Sequence, residues 1–292
     1  MREKIKALLG VVAFYLLFTY LQPYALPPHI RIESPAFFQY LDSLTGYPIL
    51  MSRIQSFLFC LVIYIFFTIV LERQNWKAAF FLQESPYGLL KGGAFAIICT
   101  TCALLIYHAI GLIDLKSPVV SYCGAVSIVF AWLVGQIFNA PKEEFIFRGY
   151  MLDRLARNFN VHLAISGSST IFGLVHISEF GLPGVFDAAV GGIILGYMFV
   201  YYRNIWVPVG FHALYDALAN PLQAGSFFAL QPTASLAWLG AYADQAPMIC
   251  SAMINTVLLI AFFVWKRLWL LPKYFEGDAH ADAPRLRDGG AS

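Results

Sequence analysis

Three pairs of side chains have the types and spacing for chemistry. Glu144 and Arg148, with Glu143 adjoining, form the first; Phe172 and His176 the second; His212 and Asp216 the third. Each pair is four residues apart, just over one helical turn, so its members share a helix face. Adjacent carboxylates in a low dielectric resist ionising together, and an Arg one turn away opposes that effect. Two imidazoles add groups that donate or accept protons near neutrality. Such a set suits activation of a water by a general base, with donors for the oxyanion that develops. It also suits a proton-coupled transporter, or a His₂Glu zinc site. The HExxH spacing is absent: His176-Ile-Ser-Glu179-Phe lacks the second His.

The setting of these residues is apolar. The chain has 292 residues, 59% hydrophobic, 16% aromatic and only 12% charged, with a formal net charge of +2. Its mean hydropathy is +0.67. A soluble protein cannot hide that much apolar surface behind so few charges. The near-neutral balance and the lack of an internal basic run give no sign of nucleic-acid binding. Long continuous apolar runs, rather than alternating segments of about 10 residues, indicate helices and not a membrane barrel. The expectation is an all-α, polytopic membrane helical bundle of about eight transmembrane helices.

Those spans are expected at 7–21, 49–71, 93–113, 119–156, 161–180, 184–202, 205–222 and 248–271. Residues 23–48 and 223–247 read as loops. Residues 76–92 read as an interfacial segment with Trp76 at headgroup level, and 272–292 as a polar tail. The organisation expected is N-terminal membrane helices over 1–117, a catalytic core over 118–222, a loop and last span over 223–271, and the tail. Of the 19 Lys and Arg, 16 fall on the side of the N-terminus and Arg31, Arg53 and Lys116 on the other; setting aside Lys142 and Arg148, which a buried layout puts within the bilayer, the split is 14 to 3. The positive-inside rule then puts both termini in the cytoplasm of a multi-pass integral membrane protein, in the plasma (inner) membrane if the host is bacterial.

The depth of the first pair follows from the turn at Arg154–Asn158. Glu143 lies about 15 residues before it, roughly 22 Å at the helical rise. His176 lies about as far beyond the same turn, so an antiparallel hairpin sets it opposite Glu143. From the turn at Arg203-Asn204, Asp216 is about 12 residues in, roughly 18 Å. Three helices turning polar faces inward at similar depth make an enclosed polar site. A surface helix starting at Pro141 is the competing layout, and the matched depths disfavour it.

In this order on separate spans, Glu143-Glu144-x-x-x-Arg148-Gly149, Phe172-x-x-x-His176 and His212-x-x-x-Asp216 resemble the three motifs of the CAAX-protease and bacteriocin-processing membrane family. The resemblance covers about 139–220. It implies an intramembrane glutamate endopeptidase acting on a membrane-associated protein or peptide substrate within the lipid bilayer, without nucleic acid and without a cofactor. By position it implies Glu143 as the water-activating base and Glu144 as its partner. Arg148 would pair with a carboxylate, and His176 and His212 would position water or stabilise the oxyanion, with Phe172 in support. The family's third motif often ends in Asn. Asp216 must therefore be protonated or serve to orient His212, because an ionised carboxylate cannot donate to an oxyanion.

Other readings weigh less. Ser166-Gly167-Ser168-Ser169 could supply a serine nucleophile in Ser168, but small residues in a membrane helix more often permit close packing, as do Gly191, Gly192 and Gly196. Cys99-x-x-Cys102 lies mid-helix without charged neighbours and reads as packing. Asp187 reads as solvated at an outer turn.

Overall fold

The computed structural model describes residues 2–21, 36–45, 50–81, 84–231, 239 and 245–267. The polar tail 272–292 and parts of the two expected loops lie outside the described residues. The elements, in order, are α1 (Arg2–Leu21), α2 (Ala36–Thr45), α3 (Leu50–Leu71), α4 (Trp76–Ala79), α5 (Gly88–Ala109), α6 (Tyr122–Ala156), α7 (Val161–Leu174), α8 (Ile177–Tyr202), α9 (Trp206–Gln223) and α10 (Ala246–Trp265). Among the described residues the only extended pairing is an isolated bridge between Pro118 and Phe228. The molecule is an all-α bundle.

Five of these helices are long and apolar enough to cross a membrane: α3, α5, α6, the part of α8 from Gly181 to Tyr202, and α10. α7 is apolar but only 14 residues long. α9 has 18 residues but spends one face on His212, Asp216, Asn220 and Gln223. Large apolar side chains such as Val62, Leu90, Ile137 and Val257 point outward and are more than half exposed. An outward apolar belt is the surface a bilayer solvates.

Several expectations need correction. A helix, Ala36–Thr45, occupies ground read as loop, and α5 begins at Gly88 rather than near 93. The span expected over 161–180 is not one helix. α7 ends at Leu174, the amides of Val175 and His176 bond back to Ile171 and Gly173, and His176 starts the next helix. The chain reverses further on, at Gly181, whose φ of 63° and ψ of −164° interrupt the helix, and the two arms then pack closely: a Cβ on Gly173 would come within 2.6 Å of the Val185 carbonyl on α8.

α9 lies at the centre, packed on α5 and α6; α7 packs on α8, α8 on α10, and α3 on α6. The α5–α9 contact is made backbone to backbone. A Cβ on Gly92 would sit 1.9 Å from the Val207 carbonyl oxygen, and one on Gly210 2.2 Å from that of Leu89. This close approach fixes the height of the α9 polar face. α6 widens immediately after the paired glutamates. Pro141 removes one amide from its ladder, and Phe145–Leu152 are π-helical, a form that recurs at functional sites. An aromatic stack braces that segment: Phe14 on Tyr150 with ring centroids 4.6 Å apart, and Phe81 on Phe145 at 6.0 Å. Phe81 approaches because residue 149 is Gly, where a Cβ would lie 2.9 Å from the ring.

Candidate active site

Arg148 and Glu144 are buried at 1% and 0% side-chain exposure, one turn apart on α6, with Nη1 donating to Oε1 at 3.0 Å. Arg148 also donates through Nη2 to the Gly192 carbonyl on α8 at 3.1 Å, and its guanidinium lies 4.7 Å from the centre of the Phe172 ring. One arginine thereby ties α6, α7 and α8 together around a buried carboxylate. Burying two charges is costly, and this geometry offsets the cost with directed bonds on both nitrogens.

The same Glu144 Oε1 faces His212 Nδ1 at 2.7 Å. Arg148 requires that oxygen to be an acceptor, so Nδ1 carries the proton and donates. The other ring nitrogen, Nε2, lies 3.6 Å from Glu143 Oε2 and 3.5 Å from Asp216 Oδ2. His212 thus stands between the two glutamates on one side and Asp216, one turn along its own helix, on the other. Glu143 is 13% exposed and Asp216 25%, so both are wetter than Glu144. Lys142 is within 3.6 Å of Glu143 Oε1 and is held by Asn139 Oδ1 at 2.8 Å and Ser56 Oγ at 3.4 Å.

His176 approaches from the α7–α8 turn. Its Nδ1 is 2.7 Å from the Phe172 carbonyl, which can only accept, so Nδ1 donates and Nε2 is left to face outward from that bond. The ring lies edge-on to Phe172 at 4.9 Å and is within electrostatic range of Glu143. Phe172 also meets Phe147 and His212, at 4.9 and 6.1 Å, so it forms the apolar wall between the two histidines. All seven residues singled out by spacing (Glu143, Glu144, Arg148, Phe172, His176, His212 and Asp216) are therefore in one neighbourhood.

The alternatives fare differently. Ser168 is 2% exposed and donates to the Ile165 carbonyl in its own helix at 3.1 Å, a packing position. Gly192 and Gly196 pack on Ser169 and Ile165, but nothing lies within 4 Å of a Cβ on Gly191. Cys99 and Cys102 are free thiols. Among the described residues no group of three or more His, Cys, Asp and Glu side chains is disposed to hold a metal ion. Glu144 Oε1, already shared by a guanidinium and an imidazole N–H, is poorly suited as a metal ligand.

Two features escaped the spacing argument. Gln136, fully buried, donates through Nε2 to Asp216 Oδ2 at 2.9 Å. It stands seven residues before Glu143, two turns along the same face, which is the only sequence signal it offers. Asp187 is not solvated as expected. Its Oδ1 accepts from Asn255 Nδ2 at 3.1 Å and from Ser251 Oγ at 3.4 Å, and both α10 residues also bond the Tyr215 hydroxyl beside Asp216. Three helices carry that polar cluster, and a lone Asp in an apolar span gives no hint of partners 64 and 68 residues away.

Residues 125–218, from α6 to α9, match the model of a family described as Rce1-like, type II CAAX prenyl endopeptidase Rce1-like. The matched segment holds every site residue named above except Asn255 and Ser251 on α10 and Ser56 on α3. No curated protein and no solved structure matches the chain. Over residues 125–218, about a third of the chain, the protein is thus similar to a family of CAAX prenyl endopeptidases, in agreement with the resemblance of its three motifs.

Proposed function

We propose that this protein is an intramembrane endopeptidase that hydrolyses a peptide bond with a water activated by Glu143, near the C-terminus or membrane anchor of a protein or peptide substrate. The observation that supports this best is the unequal setting of two adjacent carboxylates around one imidazole. Glu144 is sealed, its Oε1 shared by Arg148 and His212, whereas Glu143 faces the same ring with one oxygen and retains solvent access. A base must be reachable by water; an orienting group need not be.

In this reading Glu143 takes a proton from water as its oxygen attacks the scissile carbonyl carbon. The carbonyl π pair moves onto oxygen, and that oxyanion accepts from His212 Nε2–H, with His176 as the second polar group at the site. The intermediate then collapses, the C–N bond breaks, and the departing amine takes the proton held by Glu143. Glu144 and Arg148 hold the ring from the Nδ1 side, and Asp216 orients it from the Nε2 side. The chemistry is complete without a metal. The excess of Lys and Arg on the N-terminal side supports cytoplasmic termini.

The test is cleavage of a membrane-anchored candidate peptide by the full chain in proteoliposomes, against Glu143→Gln. The variant is expected to lose about 10²–10⁴-fold in rate, the usual contribution of a general base. Full cleavage by Glu143→Gln would sink the assignment. The same inactive variant, recovered from native membranes and analysed by mass spectrometry, captures the substrate.

A further inference from the structure

Gln136 has no part in the steps above, yet it makes the most directed contact to Asp216. It is fully buried, and its Nε2 is 2.9 Å from Asp216 Oδ2, the same oxygen that lies 3.5 Å from His212 Nε2. Turning the amide over would set two acceptors, Oε1 and a carboxylate oxygen, against each other. The N–H orientation is therefore required. An oxygen receiving an amide N–H is not the oxygen that carries a proton. Oδ2 is thus presented to His212 as an acceptor, and the natural complement is a proton on Nε2.

We propose that Gln136 is a positioning residue for the hydrolysis: by donating to Asp216 it keeps that carboxylate an acceptor toward His212 and so keeps a proton on Nε2, beside Glu143, where an oxyanion would need it. This also accounts for an acidic residue at 216, since the donor role is carried by His212 and the amide is supplied from α6. Other charged groups surround the same site. Glu143, Glu144, Lys142 and Arg148 face the site from α6, His176 from the α7–α8 turn, Arg53 from α3, and Asp187 from α8.

The cleavage arm of the test rests on Glu143 being the base; the spectroscopic arm does not. Histidine-¹⁵N-labelled full-length protein in detergent reports whether His212 carries one or two ring protons, with His212→Gln identifying its signals. Gln136→Leu is expected to lower the midpoint of the His212 titration by about one unit, a tenfold change in proton affinity. It should also lower kcat by about 10–100-fold with KM within about threefold. Asp216→Asn should move the His212 midpoint the same way, and it serves in place of Gln136→Leu if that variant does not fold. Exchanging the pair as Gln136→Glu with Asp216→Asn restores a hydrogen bond but moves the charge away from the ring. Thermal stability should return while kcat does not. An unchanged His212 titration in Gln136→Leu, or wild-type kcat in the exchanged pair, overturns the proposal. Full cleavage by Glu143→Gln overturns only the base assignment and leaves the His212 result standing.

Discussion

Arg148→Met removes the guanidinium that touches Glu144 and leaves the shape of the side chain largely in place. The buried carboxylate, at 0% exposure, then keeps a single charge-relieving partner, the Nδ1–H of His212. Breaking a buried ion pair from one side costs about 3–5 kcal/mol. Loss of the guanidinium from the face of Phe172 adds about 1–2 kcal/mol for a desolvated cation–π contact, and part of that overlaps the first figure. The expected destabilisation is therefore about 5 kcal/mol. Glu144→Gln with Arg148→Met removes both charges and should recover about half of that loss, because no uncompensated charge remains. The assay is reversible unfolding in mixed micelles for wild type, both single variants and the double, closed as a cycle. Additive single effects, or an Arg148→Met protein within about 1 kcal/mol of wild type, would show that the pair is not the buried unit described above.

Three further outcomes are expected. Burial pushes the Glu84 carboxyl, in the segment before α5, up to about 7, while the Ile205 amide donating to it acts the other way. A carboxyl raised in the folded state favours folding at low pH, so stability should fall as pH rises from about 5 to 8, by about 1–2 kcal/mol after allowance for partial exposure. Glu84→Gln should flatten that dependence in thermal melts. Gly210→Ala forces a Cβ to within 2.2 Å of the Leu89 carbonyl oxygen and should cost about 3 kcal/mol or more, whereas Gly191→Ala meets nothing within 4 Å and should be neutral or slightly stabilising in the same melts. Prolonged dialysis against chelator should leave cleavage unchanged; a stoichiometric, chelator-sensitive metal in the purified protein would refute the metal-free chemistry.

What could be read in the sequence is what a helical period exposes. Glu144 with Arg148 and His212 with Asp216 are one turn apart, so their shared faces follow from spacing alone, and they do meet in space. His176 joins the cluster at a place that residue counting does not fully specify. Counting residues along one span brings it opposite Glu143, but the helix breaks at Val175–His176 before the chain reverses at Gly181, so His176 sits at the break rather than within a helix. The close packing of the two arms, Gly173 against the Val185 carbonyl, is encoded by no local pattern. Gln136 looks like an ordinary polar interruption of an apolar run until its partner, 80 residues away, is in view. The count of spans was hard to read for a related reason: a helix that lines a polar site gives up the apolarity by which spans are recognised, as α9 does.

The π-helical stretch at Phe145–Leu152 divides α6 into two independently indexed halves. Glu143 and Glu144 belong to the first, and the residues that close the far end belong to the second: Arg154, paired with Glu72, and Arg157, 2.7 Å from Asp153. A π turn holds more residues than an α turn, so loss of one residue there can be absorbed by reverting to ordinary helix. Such a deletion would leave the rod unbroken and the far end nearly in phase with the glutamates, whereas one in the ordinary helix on either side would rotate everything beyond it by about 100°. The segment is thus a phase-absorbing joint: its spare residue, more than the identity of any side chain in it, lets the glutamate end and the Arg154 end of the same helix be indexed separately.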